Sequence, residues 1–447
     1  MDNDMERICI VEDWVIDKRF WQEDMIIRNF GRLRLSVIIL SLSCASFASA
    51  YSGGTGEPNN PYKIANITDF NQLTLDPNNW NKSFILTADI NLAGLTFTQA
   101  PIAPDINSIT SGFQGTMFNG SFDGNGHIIR NLTYTTTTAG NYAGLFGYTS
   151  NAAIKNLGLE DVNIYTAGGR IGGLVGQQDY GTFTSCYSTS SVISTANSSA
   201  INGGLVGWQF CGSIDSSYST GNIAATSAVS TAYAGGLVGS QSYGAGPIAS
   251  CYSTGNVVST TNGPSSYGSG VDVFAGGLVA AYSGSIKSCY STGQASATGN
   301  HFVYKGGLLG YKSTGGIVTA CFWDINTSGL NTSAGGTGET TAQMKTLSTF
   351  TSAGWDFTNE TANDINDYWR MCVNGVNYPH LNWESIAGDL ACPDGVNFVD
   401  FAYFADRWLE SDCTSSNNFC GGADMDSSGT VDMQDIDIFA ANWLTGE

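Results

Sequence analysis

The chain has 447 residues, of which 17 are Lys or Arg and 38 are Asp or Glu, for a formal net charge of −21. Polyanions are held by clustered Lys and Arg, so this balance excludes nucleic acid and anionic membrane as partners. Only 12% of residues are charged while 42% are hydrophobic and 56 are Gly, the reverse of the composition that keeps a chain disordered.

At the N-terminus, Arg28, Arg32 and Arg34 precede an apolar stretch from Leu35 to Ala48, and Ala48-Ser49-Ala50 offers a small-residue cleavage site. That order predicts a secretory signal peptide over residues 1–50, too short and wrongly flanked for a lasting membrane anchor. A true start at Met25 gives the leader an ordinary length. Removing residues 1–50 leaves 11 basic and 30 acidic residues, so the exported chain stays acidic. The expected location is secreted or extracellular, with cell-surface attachment open and no transmembrane segment in the mature chain.

Residues 51 to about 110 are expected to cap the N-terminal end of the domain that follows. Asp123-Gly124-Asn125-Gly126 then forms a turn cluster between two apolar runs, and a turn capped by the Asp side chain outweighs an acid–base pair with His127.

From residue 143 a motif recurs: Ala143-Gly-Leu-Phe-Gly147, Gly172-Gly-Leu-Val-Gly176, Gly203-Gly-Leu-Val-Gly207, Gly235-Gly-Leu-Val-Gly239, Gly276-Gly-Leu-Val-Ala280 and Gly306-Gly-Leu-Leu-Gly310. Successive starts differ by 29, 31, 32, 41 and 30 residues. A second motif follows it 13 to 16 residues later: Cys186-Tyr-Ser-Thr, Ser217-Tyr-Ser-Thr, Cys251-Tyr-Ser-Thr, Cys289-Tyr-Ser-Thr and Cys321-Phe-Trp. Two motifs in phase over five copies signify stacked units. Each unit offers three short β-prone runs, such as Gly236–Gly239, Ile248–Thr254 and Val257–Thr260, and no helical spacing. The expected fold is mainly β: a right-handed parallel β-helix of three-strand coils over 51–330. Leu and Val of the motif should stack inward, the four motif cysteines should form a column of buried free thiols, and the stretch from Thr261 to Val271 should loop out.

These repeats resemble those of the GLUG-repeat proteins, and Phe118 to Leu132 looks like the lead-in segment such proteins carry. The resemblance covers roughly residues 60–330. It implies a β-helix on secreted bacterial proteins associated with cell-surface or adhesive roles, and it supplies no catalytic residues.

Residues 331–388 contain Trp355, Tyr368, Trp369, Tyr378 and Trp383, read as a C-terminal cap and linker opened by a short helix around Thr341 to Leu347. Core burial outweighs carbohydrate stacking as the use of these rings. Cys372 with Cys392 and Cys413 with Cys420 are candidate disulfide pairs, their connectivity open.

Residues 389–447 hold 12 acidic residues and one base, Arg407. Asp424, Asp426, Ser428, Thr430 (through its carbonyl), Asp432 and Asp435 fall at positions 1, 3, 5, 7, 9 and 12 of a loop with Gly429 at position 6. This is the spacing that wraps oxygens around Ca²⁺. Ile436, Phe439, Ala440 and Trp443 then mark an amphipathic helix, and Phe401, Phe404, Ala405 and Trp408 repeat it 35 residues earlier. The earlier loop is a weaker site: Asp389, Asn397 and Asp400 match, Asp394 enters in a shifted register, and Ala391 and Pro393 stand at ligand positions. The tandem loop–helix pair resembles a type I dockerin. That resemblance implies a small α-helical calcium module, a cohesin-like scaffold protein or cell-surface component as partner, and contact through Phe398, Val399, Met433 and Gln434.

Enzymatic β-helices need two carboxylates, or a carboxylate and a base, converging on one face. Between Gly172 and Gly310 the charged residues are Asp179, Asp215, Asp272, Lys287 and Lys305, with no shared phase. Asp105, Asp123, His127 and Arg130 in the lead-in are the remaining candidates. The expected function is therefore a secreted, non-catalytic surface, adhesion or glycan- or protein-binding β-helix with a calcium-dependent attachment module. The alternative is a polysaccharide lyase or glycoside hydrolase docked through the same module.

Overall fold

The computed structural model describes residues 51–443 apart from 108–109, 111, 138–140, 243, 262–270, 359–366, 385–387, 392–395 and 415–417. The predicted leader, most of the predicted 261–271 loop, Cys392 and Asp394 lie outside the described residues. Among the described residues no helix is long and apolar enough to cross a membrane.

The chain is mainly β and winds as a parallel solenoid. One coil runs through Gly169–Gly172, Val175–Asp179, Thr182–Ser188 and Ser191–Ala196, and each strand pairs in parallel with its equivalent in the next coil. Two of the resulting faces hold six strands each, another holds seven, and the third in chain order belongs to a 16-stranded sheet. The coil therefore has four faces, which corrects the three-strand expectation. The glycine motif is not a strand but the corner between two: the first face ends at Gly235 and the second begins at Val238. Its short apolar run mimics a strand because Leu237 and Val238 are both buried at that corner.

The interior is built of like residues in register. Val175, Val206, Val238, Val279 and Leu309 form one column, and Ile154, Phe183, Ile214, Ile248, Ile286 and Val318 another. Strands about 4.8 Å apart place identical branched side chains in van der Waals contact, as a uniform column requires. Gln178, Gln209 and Gln241 stack as buried amides, with Gln241 Nε2 donating to Gln209 Oε1 at 2.8 Å. Cys186, Cys251, Cys289 and Cys321 are buried and free, as expected, with Ser217 taking the slot in the coil between the first two.

The phase between the two motifs has a steric cause. A Cβ on Gly204 would lie 2.0 Å from Ser219 Oγ and 2.2 Å from the Gly236 carbonyl, and one on Gly236 would lie 2.2 Å from Ser253 Oγ. The second glycine of one motif thus packs across the core on the serine of the other. In the last coil Trp323 takes the serine's place, paired with Ser291 and lying against Gly307. There Leu330 and Ala334 pack on the core's end. At the other end the helix Ile67–Thr74, N-capped by Asn66, buries Phe70 and Leu73.

The third face bends in every coil at a left-handed residue: Ser185, Ser216, Ser250, Ser288 and Ala320, each just before the cysteine position. Beyond the bend Tyr187, Tyr218, Tyr252 and Tyr290 point outward and stack at 4.9, 4.7 and 5.0 Å. The aromatic run of 331–388 lies against this ladder, reaching along the flank as well as over the last coil. Trp355 and Trp369 are buried beside Tyr252, Tyr290 and Phe322, which agrees with core burial as their use. Trp383 Nε1 donates to the Ser216 carbonyl and Trp355 Nε1 to that of Ala320, both at 2.8 Å, so two bends present carbonyls that the strap caps. The predicted helix is two short ones, Thr341–Met344 and Leu347–Thr351.

C-terminal to the strap, the helices Phe398–Asp406 and Met433–Ala441 pack through Phe404 and Phe439, whose rings lie 5.4 Å apart. Cys413 and Cys420 form a disulfide, and Cys372 is disulfide-bonded to a partner outside the described residues.

Two outcomes follow. Gly204→Val should cost about 1–3 kcal/mol by overpacking against backbone, read as a lower urea midpoint with an unchanged m-value. Burial pushes the Cys186 thiol up to about 12. Its neutral form therefore adds stability that is full below the unfolded thiol value of about 8.5 and fades between there and about 12. Peptide mapping after alkylation at pH 8 should find Cys186 unmodified in the native chain and modified once it is unfolded.

Candidate metal centre

The loop before the second module helix gathers carboxylates. Oxygens of Asp424, Asp426 and Asp435 all lie within 4.8 Å of one another, the one such group of three or more metal-binding side chains among the described residues. The loop is shaped by its own backbone. Gly429 (φ +97°) and Ser427 (φ 58°) make the tight turn, and the Ser428 and Gly429 N–H groups donate to Asp424 at 3.0 Å each. Asp435 accepts from the N–H groups of Met425, Asp426 and Asp432 at 2.6, 3.1 and 2.8 Å.

Asp424 and Asp435 are 2% and 0% exposed, and no Lys, Arg or His among the described residues pairs with either. With the exposed Asp426 beside them they make a concentration of negative charge that a cation would balance. An all-oxygen donor set suits a hard ion such as Ca²⁺, so the residues present fit the group. Ser428 also faces the loop, its Oγ donating to the Thr430 carbonyl at 3.2 Å. Asp432 is not gathered with the three: it caps the helix, accepting from Gln434 N–H at 2.9 Å and from Thr430 Oγ1 at 3.3 Å. The Ser428 hydroxyl and N–H hold the exposed Asp426 carboxyl below its ordinary value. That contribution is present at neutral pH and is lost as pH falls through the carboxylate range.

The first loop keeps the frame and changes the charge. Asp400 repeats the role of Asp435, accepting from Ala391 N–H at 2.6 Å and Asn397 N–H at 3.0 Å, and Asn397 caps the helix Phe398–Asp406. Asp389, at position 1, instead meets Arg370 of the strap at 3.2 Å, with the two side chains 6% and 15% exposed. Ala391 offers no side-chain oxygen. The residues assigned to partner contact are exposed at the two helix starts: Phe398 77%, Val399 60%, Met433 60%, with Gln434 also exposed.

The lead-in candidates do not meet in one site. Asp123 accepts from Asn125 N–H at 2.9 Å, the expected turn cap, and pairs with Lys155 at 3.1 Å. His127 pairs with Asp89, Asp105 is buried and accepts from the N–H groups of Asn107 and Gln114, and Arg130 is exposed. Asp179, Asp215 and Asp272 each bond within their own surroundings, to Tyr148 and Gln177, to Ser216, and to His301. Sequence reasoning missed one polar cluster on the rod. Arg170 lies 3.5 Å over Trp208, bonds Gln177 and donates to Tyr142 OH at 3.0 Å, while Gln177 and Tyr148 both reach Asp179. Its members span three successive coils; Tyr148, Gln177 and Trp208 share one register, but their differing side chains gave no repeated signature.

No family model matches the chain. A stretch of 141 residues, 31% of the chain, is 30% identical to Halomucin of Haloquadratum walsbyi and covers 2% of that protein. Another of 109 residues, 24% of the chain, is 34% identical to a "Putative Gly-rich membrane protein" of Evansella cellulosilytica and covers 11% of it. The chain thus matches a small fraction of the length of either relative. Among solved structures, a "putative immunoglobulin A1 protease" from Bacteroides ovatus aligns at a TM-score of 0.49 and 20% identity, covering 75% of this chain and 96% of that one.

Asp435→Ala should cost the calcium-free chain about 1–3 kcal/mol, because the N–H groups it accepts lose their partner; chemical denaturation in chelator measures this.

Proposed function

We propose that the chain is a secreted, non-catalytic β-helix of the right-handed GLUG type that binds glycan or protein at a cell surface. In this reading residues 51–330 are the rod, 331–388 its cap and strap, and 389–447 a dockerin-like attachment module ordered by Ca²⁺. The observation that carries it is the set of Asp424, Asp426 and Asp435, unpaired with any Lys, Arg or His among the described residues, in a module that exposes Phe398, Val399, Met433 and Gln434. Calcium bound there holds the loop in the form that presents both helix starts to a cohesin-like scaffold or a surface component. The rod supports the non-catalytic part, since its carboxylates are spread over coils and bonded locally. One of the matched relatives is named as a membrane protein, in keeping with a surface location.

A polysaccharide-degrading activity is the second reading. It is favoured by the Asp123–Lys155 pair, which borders a cavity of about 350 Å³ also lined by Ser83 and Ser121.

Calorimetry on the full chain should show one calcium site. Asp426→Ala, an exposed change that leaves the core intact, should weaken it at least tenfold. At calcium 100-fold above Kd the module should gain about 2.7 kcal/mol, and chelator should remove it. Titrations without heat and without a shift in melting would refute the calcium centre. Separately, the full chain should release no reducing sugar from a panel of plant and algal polysaccharides. Release that Asp123→Asn or Lys155→Met abolishes would establish the second reading instead.

A further inference from the structure

Near the N-terminal end of the rod, on the corner leading into the third face, lies a cleft of about 460 Å³. Its walls carry Asn78, Asn81, Asn119 and Asn151, with Pro77 and Met117 beside them. Asn81, Asn119 and Asn151 come from successive coils. Ser83 pairs with Ser121 and Ser121 with Ala153, and Asn81, Asn119 and Asn151 each stand two residues before those partners. Successive amides therefore climb the axis by one strand spacing, about 4.8 Å per coil. The side chains of Asn78, Asn81 and Asn119 make no hydrogen bond among the described residues.

We infer that this cleft binds a neutral polysaccharide chain lying along the rod axis, an inference that rests on the proposed reading of the protein as a non-catalytic binder. Each amide offers donors and an acceptor together, the combination that pairs with vicinal hydroxyls. No charged side chain lines the cleft, so neither an acidic sugar nor a cationic ligand finds a counter-charge there. Met117, 42% exposed, and Pro77 supply an apolar patch for the C–H face of a pyranose ring. The rise per coil is close to the length of one such ring, so consecutive sugars can meet consecutive amides.

The test is calorimetry or affinity electrophoresis of the full chain with neutral glucans, mannans, galactans and xylans, with polygalacturonate as the charged control. A neutral glycan should bind, and Asn81→Ala with Asn119→Ala should weaken it at least tenfold. Asn71→Ala, on the neighbouring helix, should not, and melting should be unchanged because all three positions are exposed. Binding of none of the neutral glycans overturns the inference, as does binding that the double variant leaves intact or a preference for polygalacturonate. Calcium uptake with no glycan binding and no sugar release defeats the cleft alone. Release of sugar defeats the reading beneath it.

Discussion

The cross-section of this solenoid is set by one contact: a glycine backbone pressed on a serine side chain across the core, coil after coil. Where Gly204 meets Ser219 and Gly236 meets Ser253, a methyl group would collide with both a hydroxyl and the next coil's carbonyl. The walls there are already in contact and can come no closer. Everything else follows that dimension. Leu237 and Val238 fill the corner beside the contact, the cysteines fill the slot on its other side, and the tyrosine between cysteine and serine is forced outward. Trp323 takes the serine's position in the last full coil, where only the short strand Thr337–Glu339 pairs beyond it.

Outward tyrosines at strand spacing create a second constraint. A ladder of stacked rings is a large apolar strip, and left bare it would invite association. The chain covers it with its own downstream aromatics, and the left-handed bends supply the polar anchors, since Ser216 and Ala320 carry carbonyls that indoles of Trp383 and Trp355 can reach. Tyr252 and Tyr290 are tied in the same way, to Glu384 Oε2 at 2.8 Å and to the Pro379 carbonyl at 2.7 Å.

The module shows how a duplicated frame diverges in electrostatics without diverging in shape. Asp400 and Asp435 tie down their loops through equivalent backbone donors, and both following helices carry an Asx cap with a reciprocal carboxylate. In the first loop the position-1 carboxylate faces a guanidinium from the strap; in the second it faces two other carboxylates. The first position-1 carboxylate therefore links module to strap, whereas the second lies in a concentration of negative charge.

Reading residues in order already revealed the stacked repeats, the inward Leu, Val and Cys and the turn at Asp123; it set Asp424, Asp426 and Asp435 in one loop but counted Asp432 with them, which caps the helix instead. All of these depend on neighbours within one coil or one loop, or on a period the chain repeats openly. The fourth face was hidden because Gly-Gly-Leu-Val-Gly has the composition of a short strand, and only backbone dihedrals distinguish a strand from a corner. Long-range partnerships were hidden more deeply: Trp383 on Ser216 spans 167 residues, and Arg370 on Asp389 and Arg170 on Trp208 join residues with no common spacing. Those pairings are chosen by which surfaces the winding brings side by side, a property of the assembled coil and of no segment within it.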